Sequence, residues 1–131
     1  LDSPLNTSIV KRAQNKGKVE IVVHNLRDYA YDKHKQIDDK PFGGGPGMLL
    51  KPEPFFHLIE KLKEEREYEK VVFMTPRGKT LNQKICNRFS LVKNMIIIAG
   101  HYKGVDERVI DTFVTDEISI GDFVLSGGEL P

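Results

Sequence analysis

Three short segments of this 131-residue chain have the make-up of ligand-binding turns: Thr75-Pro76-Arg77-Gly78, Gly100-His101-Tyr102-Lys103-Gly104, and the glycine-marked stretch from Gly121 to Gly128. Glycine lets the backbone approach a ligand closely, so N–H and C=O groups themselves become the recognition surface. Any one such segment is most simply a turn. Three of them at one edge of a sheet would wrap a flat heterocycle in backbone hydrogen bonds, which makes a pocket the better reading of the set.

Other candidate chemistry is weaker. The run Gly43-Gly44-Gly45-Pro46-Gly47 has no Gly-Lys-Ser/Thr after it, no GxGxxG spacing and no hydrophobic strand leading into it. It is therefore a loop that orders on a partner rather than a phosphate loop. His34 lies near Asp32, Asp38 and Asp39, at a spacing that matches neither a zinc nor an EF-hand pattern, so a solvated charged loop is expected and no metal site is assigned. His24, His57 and His101 are dispersed, with His57 expected on a helix surface. Cys86 follows Ile85 with no histidine nearby and reads as a small buried hydrophobe, not a nucleophile. No Gly-x-Ser-x-Gly elbow occurs. Asp106 and Glu107 suit a helix N-terminus, and Arg108 either pairs with one of them or faces a phosphate. Basic residues gather loosely at Lys11, Arg12, Lys16 and Lys18, at Lys33, Lys35 and Lys40, and at Arg77 and Lys79, with Tyr29, Tyr31 and Phe42 among them as potential base-stacking groups. This pattern permits RNA binding without requiring it.

The elements that would carry these residues alternate between helix and strand. Ser3 and Pro4 open a helix with Leu5, Ile9, Val10 and Ala13 on one face, and Gly17 ends it. Residues 19–23 (Val-Glu-Ile-Val-Val) read as a strand, followed by an aperiodic stretch over 27–51 whose length implies a use. A helix is expected over 52–68, with Phe55, Leu58, Ile59 and Leu62 inward, then a buried strand over 70–74 that stops at Thr75. Thr80-Leu81-Asn82-Gln83 has the form of a capping box and opens a helix whose inner face is Leu81, Ile85, Phe89 and Val92. Residues 95–99 form the most hydrophobic strand, Asp106 caps a short helix carrying Val109, Ile110 and Phe113, and a last strand-like run starts at Ile120. The apolar runs are continuous, as in strands covered on both faces, so the fold class is α/β with a mostly parallel sheet and helices on both faces. In such sheets ligands sit at the carboxyl ends of the strands, where the three turns fall.

Composition sets the bounds. One domain of 14.9 kDa with 39% apolar and 30% charged residues is an ordinary globular chain. Twenty basic and nineteen acidic residues leave a net charge of +1, which excludes a histone-like binder but allows a local basic patch. The longest purely apolar run, 95–99, is far too short to span a bilayer, so no membrane association is expected. No signal segment opens the chain and the single cysteine has no partner, which makes the cytoplasm the default. The abrupt helical start and the stop at Gly127-Gly128-Glu129-Leu130-Pro131 are expected to be truncations.

Three motifs in register go further: Asp38-Asp39-Lys40-Pro41-Phe42-Gly43-Gly44-Gly45-Pro46-Gly47-Met48, then Gly100-His101-Tyr102-Lys103-Gly104-Val105-Asp106-Glu107-Arg108-Val109, then residues 120–131 from Ile120 to Pro131. Together they resemble the bacterial tRNA (guanine-N1)-methyltransferases, over essentially the whole chain. The resemblance implies a SPOUT-class domain spanning residues 1–131, with a trefoil knot in its C-terminal half that no periodicity would reveal. It implies S-adenosylmethionine as cofactor, tRNA as substrate methylated at N1 of the guanosine just 3′ of the anticodon, and a homodimer.

By motif, the resemblance puts the cofactor against Thr75 and Pro76, Gly100 and Tyr102, and Ile120, Gly121, Asp122, Phe123, Val124 and Leu125, with Gly127 and Gly128 close by. The loop with Asp39, Lys40, Gly44 and Gly45, together with Arg108, would approach the RNA. Where this family often has Tyr-Glu-Gly the chain has Tyr102-Lys103-Gly104, which counts against a magnesium or sulfonium-related role there; Mg2+ has no support in the sequence. The family's general base, an aspartate leading to a C-terminal tRNA-binding domain, falls beyond Pro131, so no catalytic residue is assignable. The fragment is expected to bind cofactor weakly and to transfer no methyl group. The rival expectation is a non-catalytic RNA-binding or assembly module on a related α/β fold, which needs the basic clusters but not the pocket.

Overall fold

The computed structural model describes residues 2–29, 38–39, 49–50, 52–100 and 104–121. Its centre is a parallel sheet in which β3 (Lys70–Thr80) lies between β4 (Met95–Ile98) and β6 (Asp116–Ser119). Val71, Val72 and Phe73 are buried, and their alternation splits the core in two. Val71 and Phe73 pack with Phe55 and Ile59 of α3 (Pro52–Glu65), Val105 of β5 (Gly104–Val105) and Val109 of α5 (Glu107–Phe113). Val72 packs on the other face with Ile118 and with Ile85 of α4 (Gln83–Ser90). Helices therefore cover both faces, and the α/β expectation holds. Each fully buried Ile contributes about 2–3 kcal/mol of transfer free energy. A second, small sheet joins β1 (Asp38–Asp39) antiparallel to β2 (Leu49–Leu50), and β2 parallel to β5.

Helix α3 buries the four expected residues, and Pro52 occupies the first helical position, where a missing N–H costs nothing. It ends at Glu65 rather than at 68, because past Leu62 no side chain up to residue 69 finds a buried place. Phe56 meets Phe113 edge-on at 5.0 Å and ties α3 to α5. Helix α4 begins later than the capping-box pattern suggested. Thr80 is still in the β3 ladder opposite Ser119, and Asn82 is the cap, its Oδ1 accepting the Ile85 N–H at 2.9 Å.

The N-terminal helix is broken in two, α1 (Asp2–Leu5) and α2 (Ser8–Asn15), with Thr7 extended between them. The Gln14 side chain donates back to the Leu5 carbonyl at 2.7 Å. Gly17 ends α2 as expected: at φ +69° it lets its own N–H reach the Gln14 carbonyl and the Lys18 N–H reach that of Ala13, a Schellman closure. Helix α2 buries no residue, and Ile9 stays 71% exposed.

Three strand expectations need correction. Residues 19–23 form no strand; among the described residues they have no ladder partner, and Val22 and Val23 are more than half exposed. β-Branched residues supply propensity, but a strand exists only where another accepts its hydrogen bonds. In β4, Ile97 is 62% exposed: among the described residues β4 pairs only with β3, and only its Ile98 is buried. The last strand among the described residues is Asp116–Ser119, where pairing with β3 ends; of the run expected from Ile120, Ile120 and Gly121 are not in a strand and the rest lies outside the described residues.

Candidate functional site

Because β4, β3 and β6 run parallel, their carboxyl ends fall on one edge. The last rung between β3 and β4 is Phe73 with Ile98, so Thr75 and Pro76 follow that rung on one strand and Ala99 and Gly100 on its neighbour. Strand β6 ends at Ser119, and Ile120 and Gly121 follow on the far side of β3. Of the sequence-predicted cofactor residues, Gly100, Ile120 and Gly121 thus follow the ends of β4 and β6, and Thr75 and Pro76 lie in the irregular stretch of β3 between them. Tyr102, Asp122, Phe123, Val124, Leu125, Gly127 and Gly128 lie outside the described residues, as do Lys40, Gly44 and Gly45 of the predicted RNA loop. Asp39 belongs to the second sheet, paired with Leu49.

Strand β3 does not stop at the first turn. Met74 and Lys79 both take Ile118 as register partner and Thr80 pairs with Ser119, so Thr75, Pro76, Arg77 and Gly78 are extruded from a continuing ladder. The Leu81 N–H then donates to the Ser119 carbonyl at 2.7 Å. Thr75 is 9% exposed, and its Oγ1 accepts the Arg77 N–H at 3.4 Å; Pro76 and Arg77 are exposed at the tip. Gly78 closes the bulge: a Cβ there would sit 2.5 Å from the main-chain carbon of Glu117 and the nitrogen of Ile118. The glycine serves close approach, as expected, but the approach is to β6.

Ser119 went unnoticed in the sequence. It is buried, its Oγ donates to the Gly121 carbonyl at 2.7 Å and accepts the Gly121 N–H at 3.1 Å, and so it sets how the chain leaves β6. A hydroxyl two residues before a glycine at a strand end was the available signal. Thr115 does similar work at the other end of β6, accepting the Val71 N–H at 3.0 Å while its own N–H donates to the Val71 carbonyl at 2.9 Å.

Asp106 caps α5 as expected, accepting the Arg108 N–H at 2.9 Å. It also receives Nε of Arg108 on Oδ1 at 2.9 Å and Nη2 on Oδ2 at 2.8 Å, a bidentate clasp. The Arg108 side-chain bonds, seconded by its N–H and its charge, outweigh burial and hold the Asp106 carboxyl below the ordinary aspartate range. Of the two alternatives for Arg108, the structure shows the acid partner. Arg108 also lines an open groove of about 480 Å³ with Pro52, Glu53, Phe56, His57 and Glu60. His57 is exposed on α3 as expected, 5.8 Å ring to ring from Tyr29. Cys86, expected inside, is exposed: one residue past Ile85 is about 100° around the helix from the face that packs.

Residues 1–131 match the profile of the family described as tRNA (Guanine-1)-methyltransferase TrmD. The chain belongs to this family. It is 62% identical over 130 residues to the tRNA (guanine-N(1)-)-methyltransferase of Christiangramia forsetii, covering 99% of the chain and 58% of that relative. The protein of the same name from Cytophaga hutchinsonii is 61% identical over 130 residues, 99% of the chain and 55% of the relative. That from Flavobacterium psychrophilum is 59% identical over 130 residues, again 99% and 58%. The chain spans little more than half the length of the curated relatives it matches.

Membership in the tRNA (guanine-1)-methyltransferase family implies a methyl-donor cofactor, and the described residues fit an adenosyl group. The strand-end edge offers a buried hydroxyl at Thr75, an exposed proline ring, and the backbone of Gly100, which makes no hydrogen bond among the described residues. Adenine is planar and neutral, so backbone donors, acceptors and apolar walls suffice to hold it. Among the described residues no group of three or more His, Cys, Asp or Glu is placed to hold a metal, and no helix is long and apolar enough to cross a membrane.

Proposed function

We propose that residues 1–131 form the S-adenosylmethionine-binding SPOUT domain of an enzyme that methylates N1 of guanine in tRNA, at the guanosine just 3′ of the anticodon. The observation that carries this reading is the shared edge of β4, β3 and β6, where five predicted cofactor residues follow β4 and β6 or lie in the irregular stretch of β3 between them, in a chain of this family. In the proposal the C-terminal half closes into a trefoil knot, Tyr102, Asp122, Phe123, Val124, Leu125, Gly127 and Gly128 complete the pocket, and the active unit is a homodimer in the bacterial cytoplasm. The loop with Asp39, Lys40, Gly44 and Gly45 faces the RNA, which a separate C-terminal domain grips, while Arg108, clasped by Asp106, stays out of that face.

S-adenosylmethionine supplies a methyl group activated by its sulfonium. The chain's residues hold and orient: Thr75, Pro76 and the Gly100 backbone wall one side of the adenosine, and Ile120 and Gly121 the other. Methyl transfer requires guanine N1 in line with the methyl carbon, and it requires a base, because the protonated nitrogen is a poor nucleophile. No residue of 1–131 is assigned that role.

The test is methylation of an unmodified tRNA transcript by the intact protein with labelled S-adenosylmethionine. The expected product is 1-methylguanosine next to the anticodon, lost when that guanosine is replaced by adenosine. Binding of tRNA with neither cofactor binding nor methylation would support the non-catalytic module instead.

A further inference from the structure

The bulge that shapes the proposed cofactor edge also presents a cation. Arg77 is exposed at its tip, and among the described residues its side chain makes no hydrogen bond or ion pair; the one bond at this residue is from its N–H to Thr75 Oγ1. The presentation is rigid. Both ends of the bulge are fixed on the same residue of β6, Ile118, the Pro76 ring restricts φ before the arginine, and the Gly78 backbone lies directly against that of Glu117 and Ile118. Lys79, also exposed, follows two residues on, so the edge carries two cations within three positions. The α3/α5 groove offers no equivalent: its Glu53 and Glu60 repel an anion, and the Arg108 guanidinium is clasped by Asp106.

We infer that Arg77 is a phosphate-contacting residue for the RNA substrate, positioning the strand beside the cofactor edge. The inference rests on the reading of this protein as a tRNA methyltransferase and deepens it. A planar, permanently charged guanidinium on a fixed stem grips a phosphodiester bidentately and loses little side-chain freedom in doing so. Phosphate contacts orient a nucleic acid without reading its sequence, the role suited to an arginine next to a pocket that does the reading.

The experiment uses the intact protein and an unmodified tRNA transcript, with affinity measured across a salt series. Loss of one phosphate contact lowers the slope of log K against log salt by roughly 0.7–0.9. The expected result is that fall for Arg77→Gln, the wild-type slope for Arg77→Lys, and the wild-type slope for Lys93→Gln, which removes a cation at the opposite edge of the sheet. Affinity for S-adenosylmethionine without RNA is expected to stay within about twofold of wild type, since a phosphate contact acts on RNA alone. An unchanged slope in Arg77→Gln, or an equal fall in Lys93→Gln, overturns the inference while cofactor binding and methylation by the wild type leave the functional reading standing. A loss of cofactor affinity in Arg77→Gln without RNA also overturns it, because the cation would then serve the cofactor's carboxylate. A wild-type protein that binds neither cofactor nor tRNA removes the functional reading itself.

Discussion

Two glycines separate two physical reasons for having no side chain. Gly17 sits at φ +69° with nothing within 4 Å of a would-be Cβ, so Gly17→Ala pays only left-handed strain, roughly 1 kcal/mol. Gly78 has an ordinary φ but faces main-chain atoms at 2.5 Å, and main chain in a paired strand cannot step aside as a side chain does. Gly78→Ala is expected to lose about 1–3 kcal/mol or more in denaturant unfolding and to weaken cofactor binding. Gly17→Ala is expected to leave binding unchanged. Asp106 gives a pH-dependent counterpart. Its carboxyl is held below the ordinary value in the folded chain, so its contribution is complete above the unfolded value and is lost as pH falls through the depressed one. Asp106→Asn should therefore cost about 1 kcal/mol at neutral pH, and its gap from wild type should close in acid unfolding below about pH 4. Of the candidate residues, the Asp106 cap was legible in the sequence, since a cap is a local arrangement. The exposure of Cys86 was not, because it depends on which face of α4 meets the sheet.

Among the elements, α4 shows how a local signal and a tertiary one divide the work. Asn82 sets where the helix starts, and Ile85, 2% exposed, sets what it packs on. Asn82→Ala is expected to cost about 1 kcal/mol, and Ile85→Ala about 2–5 kcal/mol, in chemical unfolding followed by circular dichroism. Elements with their own apolar stripe or run could be read directly: the inner face of α3, the buried start of β3, the short α5. Elements defined by a partner could not. Strand β6 is Asp-Glu-Ile-Ser, polar at three of four positions, and it is a strand because β3 accepts it on both sides of a bulge. Residues 19–23 are the converse, a strand-like run left without a ladder among the described residues. In sequence the bulge looks like the end of β3, since nothing in Thr75-Pro76-Arg77-Gly78 says that pairing resumes at Lys79.

At the scale of the whole molecule, the account is one of convergence: parallel order β4-β3-β6 brings three separate chain segments to one edge, and that edge is taken to hold the adenosyl group. The edge was foreseeable from the alternation of helices and strands, whereas the order of its strands was visible only once folded. The most direct measurement is titration of the 15N-labelled chain with S-adenosylmethionine while amide resonances are followed. The account predicts that Thr75, Arg77, Gly78, Gly100 and Gly121 shift together with one dissociation constant, while Asn87 and Ser90 on the outer side of α4 stay still. Shifts centred on Glu53, His57 and Arg108, with that strand-end set unmoved, would contradict it.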